Sequence, residues 1–252
     1  MPIHPAWHRP PAGLVLRDND IHVWRVPIDR PGTTIQALWQ TLSTLEQQRA
    51  ERFRADRDRR RFIVSHGALR ALLSRYLGIE PGRLSFEEGA HGKPRLAGRG
   101  VAPPAEFNLA HSGGLAVCAV TRQRPVGIDL EVVRPVLDAD QIVERFFSAR
   151  ERAVYRSLPV DDRQAAFFAC WTRKEAFIKL IGDGLSRPLD QFDVSLAPGE
   201  PARIVSIGGS QPEAQKWSLF GFVPGPNYLG ALAVEARDGS PSYWTWEFSN
   251  AA

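Results

Sequence analysis

The chain has 252 residues, 43% of them hydrophobic and 24% charged, with a formal net charge of +4, the balance of an ordinary soluble protein with chain enough for one large domain or two small ones. No apolar run approaches the roughly 18 residues of a membrane span, the four prolines of Met1–Pro11 argue against a secretory signal, and only Cys118 and Cys170 are present, both inside apolar patterns, so a cytoplasmic protein that touches no membrane is expected. The mildly basic balance suggests an acidic partner: nucleic acid, an acidic protein or a phosphorylated small molecule, with an ordinary soluble surface as the plainer reading.

In chain order, His22–Asp29 reads as a short strand. Ser43-Thr44-Leu45-Glu46 is a Ser-x-x-Glu capping box, which satisfies the exposed amides of a helix start. Arg49 to Arg61 is dense in arginine (Arg49, Arg52, Arg54, Arg57, Arg59, Arg60, Arg61) and contains Glu51, Asp56 and Asp58. Such a stretch reads first as a solvated helix face with internal ion pairs. A nucleic-acid stripe is the next reading, with only Phe53 to stack on a base, and one or two arginines bound to a ligand's phosphate the third. A helix is predicted over Arg59–Leu77, stopped by Gly78. Gly92-Lys93-Pro94-Arg95 is a turn between strands that holds its lysine in a stiff, exposed loop, suited to a phosphate or a purine; an ordinary hairpin turn is the plainer reading. Strands Phe107–Ala110 and Gly114–Thr121 flank His111-Ser112-Gly113. His111 and Ser112 could donate to phosphate oxygens, but neighbours on an extended chain point apart, which makes them a poor nucleophile–base couple.

The second part of the chain carries the acids. Val126–Val133 is predicted as a strand, so Asp129 and Glu131 share one face, opposite Ile128 and Leu130. A second capping box, Ser148-Ala149-Arg150-Glu151, precedes a helix over Arg163–Ile181 that Gly182 stops. On that helix Trp171, Glu175 and Lys179 recur at i, i+4 and i+8, on one face. Two carboxylates on a strand and a third on a helix, with a lysine one turn on, suit Mg²⁺ beside a phosphate. Strands Trp217–Val223 and Tyr228–Ala236 follow, and Gly98–Ala105, Ala197–Pro201 and Pro224–Asn227 read as surface loops.

These landmarks repeat. The first strands begin at His22 and Val126, 104 residues apart; the capping boxes begin at Ser43 and Ser148, 105 apart; the closing glycines are Gly78 and Gly182, again 104 apart. Arg25, Pro27 and Ala71 stand where the second half has Asp129, Glu131 and Glu175. The expected architecture is therefore α+β, two pseudo-symmetric lobes, each a small antiparallel sheet packed on a long helix, with a single active site at the lobe junction. The expected lobes are residues 1–123 and 124–252.

Taken in order, Gly92-Lys93-Pro94, Phe107-Asn108-Leu109-Ala110-His111-Ser112, Gly127-Ile128-Asp129-Leu130-Glu131, Phe146-Phe147-Ser148, Trp171-Thr172-Arg173-Lys174-Glu175-Ala176-Phe177-Ile178-Lys179 and Gly182-Asp183-Gly184-Leu185 resemble the 4′-phosphopantetheinyl transferase superfamily, in its larger, two-lobed, surfactin-type members. The resemblance spans roughly residues 40 to 235. It implies transfer of the 4′-phosphopantetheine arm of coenzyme A to a serine of an apo acyl, peptidyl or aryl carrier protein, an acidic helical partner, with release of adenosine 3′,5′-bisphosphate. By motif matching it implies Asp129, Glu131 and Glu175 as Mg²⁺ ligands, Glu175 as the base for the carrier serine, directly or through water, and Lys179 on the phosphate under attack. Lys93 and Pro94 would hold adenine, His111 and Arg61 the ribose 3′-phosphate, with help from Ser112, and Arg49 would lie near the pyrophosphate. The N-terminal lobe would thus supply the nucleotide contacts and the C-terminal lobe the metal-binding carboxylates of a monomeric enzyme. Members often have serine before the histidine; here Ala110 stands there, and Ser112 or a backbone amide would replace that contact. The first twenty residues and the last fifteen or so, Trp244 and Trp246 among them, match no motif of the family. Two alternatives are a basic nucleic-acid-binding protein, which leaves the three acids without a role because acids repel a phosphate backbone, and an inactive scaffold that binds coenzyme A or carrier proteins, whose sign would be a lost metal ligand.

Overall fold

The computed structural model describes residues 3–89, 93–97, 105–182, 188–236 and 239–248, and the mixed strand-and-helix pattern of the sequence becomes an α+β fold. Of the motifs above, Gly92, Asp183, Gly184 and Leu185, with most of the Gly98–Ala105 loop, lie outside the described residues. The chain forms two compact units: one comprises Trp7–Glu88, Pro94–Gln123 and Gly239–Ala252, the other Met1–Ala6, Gly89–Lys93 and Arg124–Asp238. No described helix is long and apolar enough to cross a membrane.

In the first unit, strand β1 (Ile21–Pro27) is followed by helices α1 (Gly32–Trp39), α2 (Thr44–Glu51) and α3 (Asp56–Leu77), the short hairpin β2 (Phe86–Glu88) and β3 (Pro94–Leu96), and the strands β4 (Ala105–Ser112) and β5 (Leu115–Arg122). Ser43 caps α2 through the expected reciprocal box, and Gly78 ends α3 in the left-handed conformation, φ 66°. Helix α3 begins three residues earlier than the apolar pattern predicts, with Asp56 and Asp58 in its first turn, where carboxylates meet the positive end of the helix dipole. Asp56 is paired with both Arg59 and Arg60. That pairing bears out a solvated helix face for this part of the arginine stretch. Phe62, Val64, Leu69, Leu72 and Leu73 of α3 pack on Trp24, Val26, Phe107, Cys118 and Val120 of the sheet.

The other unit holds β6 (Val126–Val132), α4 (Ala139–Phe146), α5 (Ala149–Ser157), α6 (Val160–Ile181), β7 (Phe192–Val194), β8 (Ile204–Ile207), α7 (Gln211–Ala214), β9 (Trp217–Phe222) and β10 (Tyr228–Glu235). Strands β6, β10 and β9 make an antiparallel sheet in that order, and β7 pairs with β8. Phe167, Phe177, Ile178 and Leu180 of α6 are buried with Phe147, Phe192, Leu219, Ala231 and Ala233.

The tail corrects two expectations. Strand β11 (Pro241–Thr245) runs parallel to β1, with Trp24 opposite Trp244. Residues 239–252 therefore belong with the first unit and not with a lobe running from 124 to 252, and the sheet β11-β1-β5-β4 is mixed rather than antiparallel. Its physical basis is apolar: Trp246 is 5% exposed inside the core built on Trp24 and Phe107.

Each unit ties its short capped helix to its long one by a buried cation. In the first, Arg70 of α3 donates to Glu46, the capping-box acid of α2, at 2.8 Å, and to the carbonyls of Pro81 and Leu84 at 2.8 and 2.9 Å. In the other, Lys174 of α6 lies 2.8 Å from Glu151, the capping-box acid of α5, and donates to the carbonyls of Leu189 and Phe192, each at 2.6 Å. Burial would raise the Glu46 carboxyl, but hydrogen bonds from His66, Arg70 and the Ser43 amide outweigh it and hold it at about 2. A depressed carboxylate stabilises the fold above its unfolded pKa and loses that contribution as pH falls toward the folded one. We therefore expect the stability difference between wild type and Glu46→Gln, read by urea unfolding, to be constant from pH 8 to 5 and to shrink between about 4.5 and 2. A difference unchanged at pH 3 would remove the ionised Glu46 from this account.

Candidate active site

Strand β6 and helix α6 meet backbone to backbone, and a glycine makes this possible. A Cβ on Gly127 would lie 2.1 Å from the Ala176 carbonyl oxygen and 2.3 Å from the Leu180 amide nitrogen. Any side chain there would push the helix off the strand. Because the two touch at this turn, Lys179 of α6 reaches Asp129 of β6, its Nζ donating to Oδ1 at 2.6 Å.

Asp129 is 5% exposed, and its second oxygen, Oδ2, is buried with no hydrogen-bond partner among the described residues. Burial raises the Asp129 carboxyl, against the charge of Lys179 and its hydrogen bond. Half-buried Glu175 is also raised, first by burial and then by the charge of Asp129, with Lys179 opposing and Glu131 adding. Glu175 thus feels the charges of both Asp129 and Glu131, with the Lys179 ammonium opposing them. The structure brings Asp129, Glu131, Glu175 and Lys179 into one electrostatic neighbourhood. Among the described residues no three His, Cys, Asp or Glu side chains stand as a group able to hold a metal ion. The donors nevertheless fit a hard cation in kind: an orphaned, buried carboxylate oxygen and a local excess of negative charge are what an oxygen-loving divalent ion relieves.

The rest of the helical motif is structural. Trp171, on the same stripe as Glu175, packs edge-on to Phe146 and parallel to Phe167 at centroid distances of 5.9 and 6.3 Å. Arg173 donates to the Ser195 carbonyl at 2.6 Å, and Lys174 is fully buried.

In the unit that contains α3, Arg61 lies beside the turn joining β4 to β5. Its Nε and Nη2 donate to the two carboxylate oxygens of Asp29 at 2.8 and 2.9 Å. His111 is exposed near the end of β4, opposite Ala116, and Ser112 pairs with Leu115 across a two-residue turn. Both residues are still within the strand, which extends two residues beyond Ala110. Arg49 sits over the ring of Phe62, 5.6 Å from its centroid. Lys93 Nζ donates to the Val126 carbonyl at 2.8 Å, at the start of the strand that carries Asp129, and Pro94 opens β3. Sequence reasoning missed Asp29 and Lys174. The first pairs across 32 residues without a local signal, whereas the second was detectable, standing 104 residues after Arg70 at the place the repeat assigns it.

Residues 125–232 match the 4′-phosphopantetheinyl transferase superfamily, and residues 30–123 match the family described as 4′-phosphopantetheinyl transferase, N-terminal. The 4′-phosphopantetheinyl transferase HetI of Nostoc is 41% identical over 239 residues, covering 95% of this chain and 98% of its own. The chain belongs to the 4′-phosphopantetheinyl transferase superfamily. As a member, it transfers a 4′-phosphopantetheinyl group. The 4′-phosphopantetheinyl transferase Sfp of Bacillus subtilis is 34% identical over 176 residues, which is 69% of this chain and 76% of Sfp. A solved structure described as a Chronobacterium ammoniagenes ACPS–CoA complex covers 46% of this chain and 100% of its own, at 19% identity and a TM-score of 0.34. The superfamily match includes Asp129, Glu131, Glu175 and Lys179, while Arg49, Arg61, Lys93, Pro94, His111 and Ser112 fall in the N-terminal match.

Proposed function

We propose that the chain takes coenzyme A as donor and moves its 4′-phosphopantetheine arm onto a serine of an apo acyl, peptidyl or aryl carrier protein, releasing adenosine 3′,5′-bisphosphate. The observation that carries this reading is the buried Asp129 carboxylate, bound to Lys179 at one oxygen and orphaned at the other, beside Glu175 and Glu131.

Asp129, Glu131 and Glu175 would hold Mg²⁺. When bound, that ion would draw charge from the pyrophosphate and stabilise the departing phosphate. The protein's own task is positioning and neutralisation, because phosphoryl-type transfer asks little else of it. The serine oxygen forms its bond to the pantetheine-side phosphorus as the bond to the adenosine-side phosphate breaks, and the serine proton passes to Glu175, directly or through water. Lys179, oriented by Asp129, supplies an ammonium to the phosphate under attack. Lys93 and Pro94 hold adenine; Arg61 and His111, with Ser112, take the ribose 3′-phosphate; Arg49 lies toward the pyrophosphate.

Two related halves complete the proposal. The twin cation ties of Arg70–Glu46 and Lys174–Glu151, with the same order of capped short helix and glycine-stopped long helix, support that relationship. The enzyme is read as monomeric and cytoplasmic, with an acidic carrier drawn to its net positive charge. Incubating the protein with coenzyme A, Mg²⁺ and a panel of apo carriers tests the reading by mass spectrometry. At least one carrier should gain the mass of one phosphopantetheine arm; no gain on any carrier would sink it.

A further inference from the structure

Resting on the assignment of Arg61 to the ribose 3′-phosphate, we propose that Asp29 is a positioning residue for that site: it clamps the Arg61 guanidinium in the orientation that reads the 3′-phosphate, and Gly114 makes room for the clamp.

The contact is bidentate, with Nε and Nη2 of Arg61 on the two oxygens of Asp29 at 2.8 and 2.9 Å. Planar, parallel hydrogen bonds fix a guanidinium in both position and plane. Asp29 engages one edge of the fork, and the edge formed with Nη1 is a different one. Backbone geometry is built around the pair. The Ile28 amide donates to the Gly114 carbonyl at 2.9 Å, which ties the end of β1 to the β4–β5 turn. A Cβ on Gly114 would come within 2.6 Å of Asp29 Oδ2 and 3.8 Å of Arg61 Nη2. The close approach therefore requires glycine, or else the carboxylate must shift.

Stability does not explain the arrangement. The Asp29 side chain is 61% exposed and that of Arg61 21%, and exposed ion pairs contribute little to folding. Orientation is what such a pair supplies. Arginine loses considerable rotamer freedom when it binds an anion, and a side chain already held in place loses less at that step. The turn that Gly114 belongs to also follows His111 and Ser112, so the clamp sets Arg61 relative to the strand that presents the other two phosphate contacts.

The competing physical effect is repulsion: a carboxylate beside the site opposes a second anion. The two effects predict opposite signs. The discriminating quantity is kcat/KM for coenzyme A divided by kcat/KM for 3′-dephospho-coenzyme A, measured with one apo carrier on wild type, Asp29→Asn, Asp29→Glu, Arg61→Ala and the Asp29→Asn/Arg61→Ala double variant. We expect Asp29→Asn to lower this ratio about tenfold, through KM for coenzyme A, as misplacement of a binding group does. Asp29→Glu should recover part of it. The double variant should fall no further than Arg61→Ala alone, because Asp29 acts through Arg61. A ratio that is unchanged or higher in Asp29→Asn while Arg61→Ala lowers it would overturn the inference and leave the Arg61 assignment standing. An unchanged ratio in Arg61→Ala would overturn both.

Discussion

Asp129→Ala should fold normally and lose roughly 10²–10³-fold or more in kcat/KM for transfer. Asp129 is buried, one oxygen is held by Lys179, and the other is orphaned. On the proposed reading, the orphaned oxygen is kept for a ligand and not for the fold. The buried carboxylate's unsatisfied oxygen costs stability, and its partner Lys179, 31% exposed, can turn to water when the carboxylate is gone, so the fold should survive loss of the pair. Its loss does leave the Lys179 ammonium without its partner, free to swing from the place where a phosphate would meet it. It also takes away one of the two carboxylates that act on Glu175, which lowers the attraction for a divalent cation. Glu175→Ala should fall in the same range by the same argument. Single-turnover transfer to an apo carrier, followed by mass spectrometry, measures the rate, and circular dichroism with urea unfolding measures the fold. Activity within tenfold of wild type in a folded Asp129→Ala protein would remove the residue from the site.

Some of this was legible in the sequence because its signals are local. Ser43 and Ser148 announce helix starts through acids three residues on, and Gly78 and Gly182 announce the ends through the left-handed turn that only glycine adopts easily. Period-two alternation placed Asp129 and Glu131 on one face of β6, and the four-residue spacing placed Glu175 and Lys179 a turn apart. What was not legible depends on partners distant in the chain. The parallel pairing of β11 with β1 joins residues more than two hundred positions apart, and no local pattern in Pro241–Thr245 specifies it. Trp246 looks like a stray aromatic in a tail until its burial in the first unit's core is seen. Arg61 looks like one member of a charged face; only the fold separates it from Arg59 and Arg60, which pair with Asp56, and hands it to Asp29.

Lys174 and Glu175 are adjacent in sequence and serve different ends, because neighbours on a helix point to different faces. Lys174 is turned into the core, where its side chain and that of Glu151 are both 0% exposed and 2.8 Å apart. Its ammonium also donates to the Leu189 and Phe192 carbonyls and lies 4.3 Å from the centroid of the Phe192 ring. Glu151 accepts from the Ser148 and Val194 amides. Burial raises the Glu151 carboxyl, and Lys174 is the leading influence that opposes this. Lys174→Met keeps the chain length and deletes the charge. It leaves Glu151 without its cation and two carbonyls without their donor, and removing one member of a buried pair typically costs about 3–5 kcal/mol. We expect a loss of that size in urea unfolding. The double variant Lys174→Met/Glu151→Gln should recover part of it, since the glutamine brings no charge into the core and its side-chain oxygen can still accept from an amide. A loss under about 1 kcal/mol in Lys174→Met would mean that the pair is not what holds α5 to α6. If the single variant stays folded at low temperature, its transfer rate there should fall far less than that of Asp129→Ala. The reason is geometric: Lys174 anchors the helix from the core side, while Gly127 still lets α6 rest on β6 and sets Glu175 and Lys179 beside Asp129.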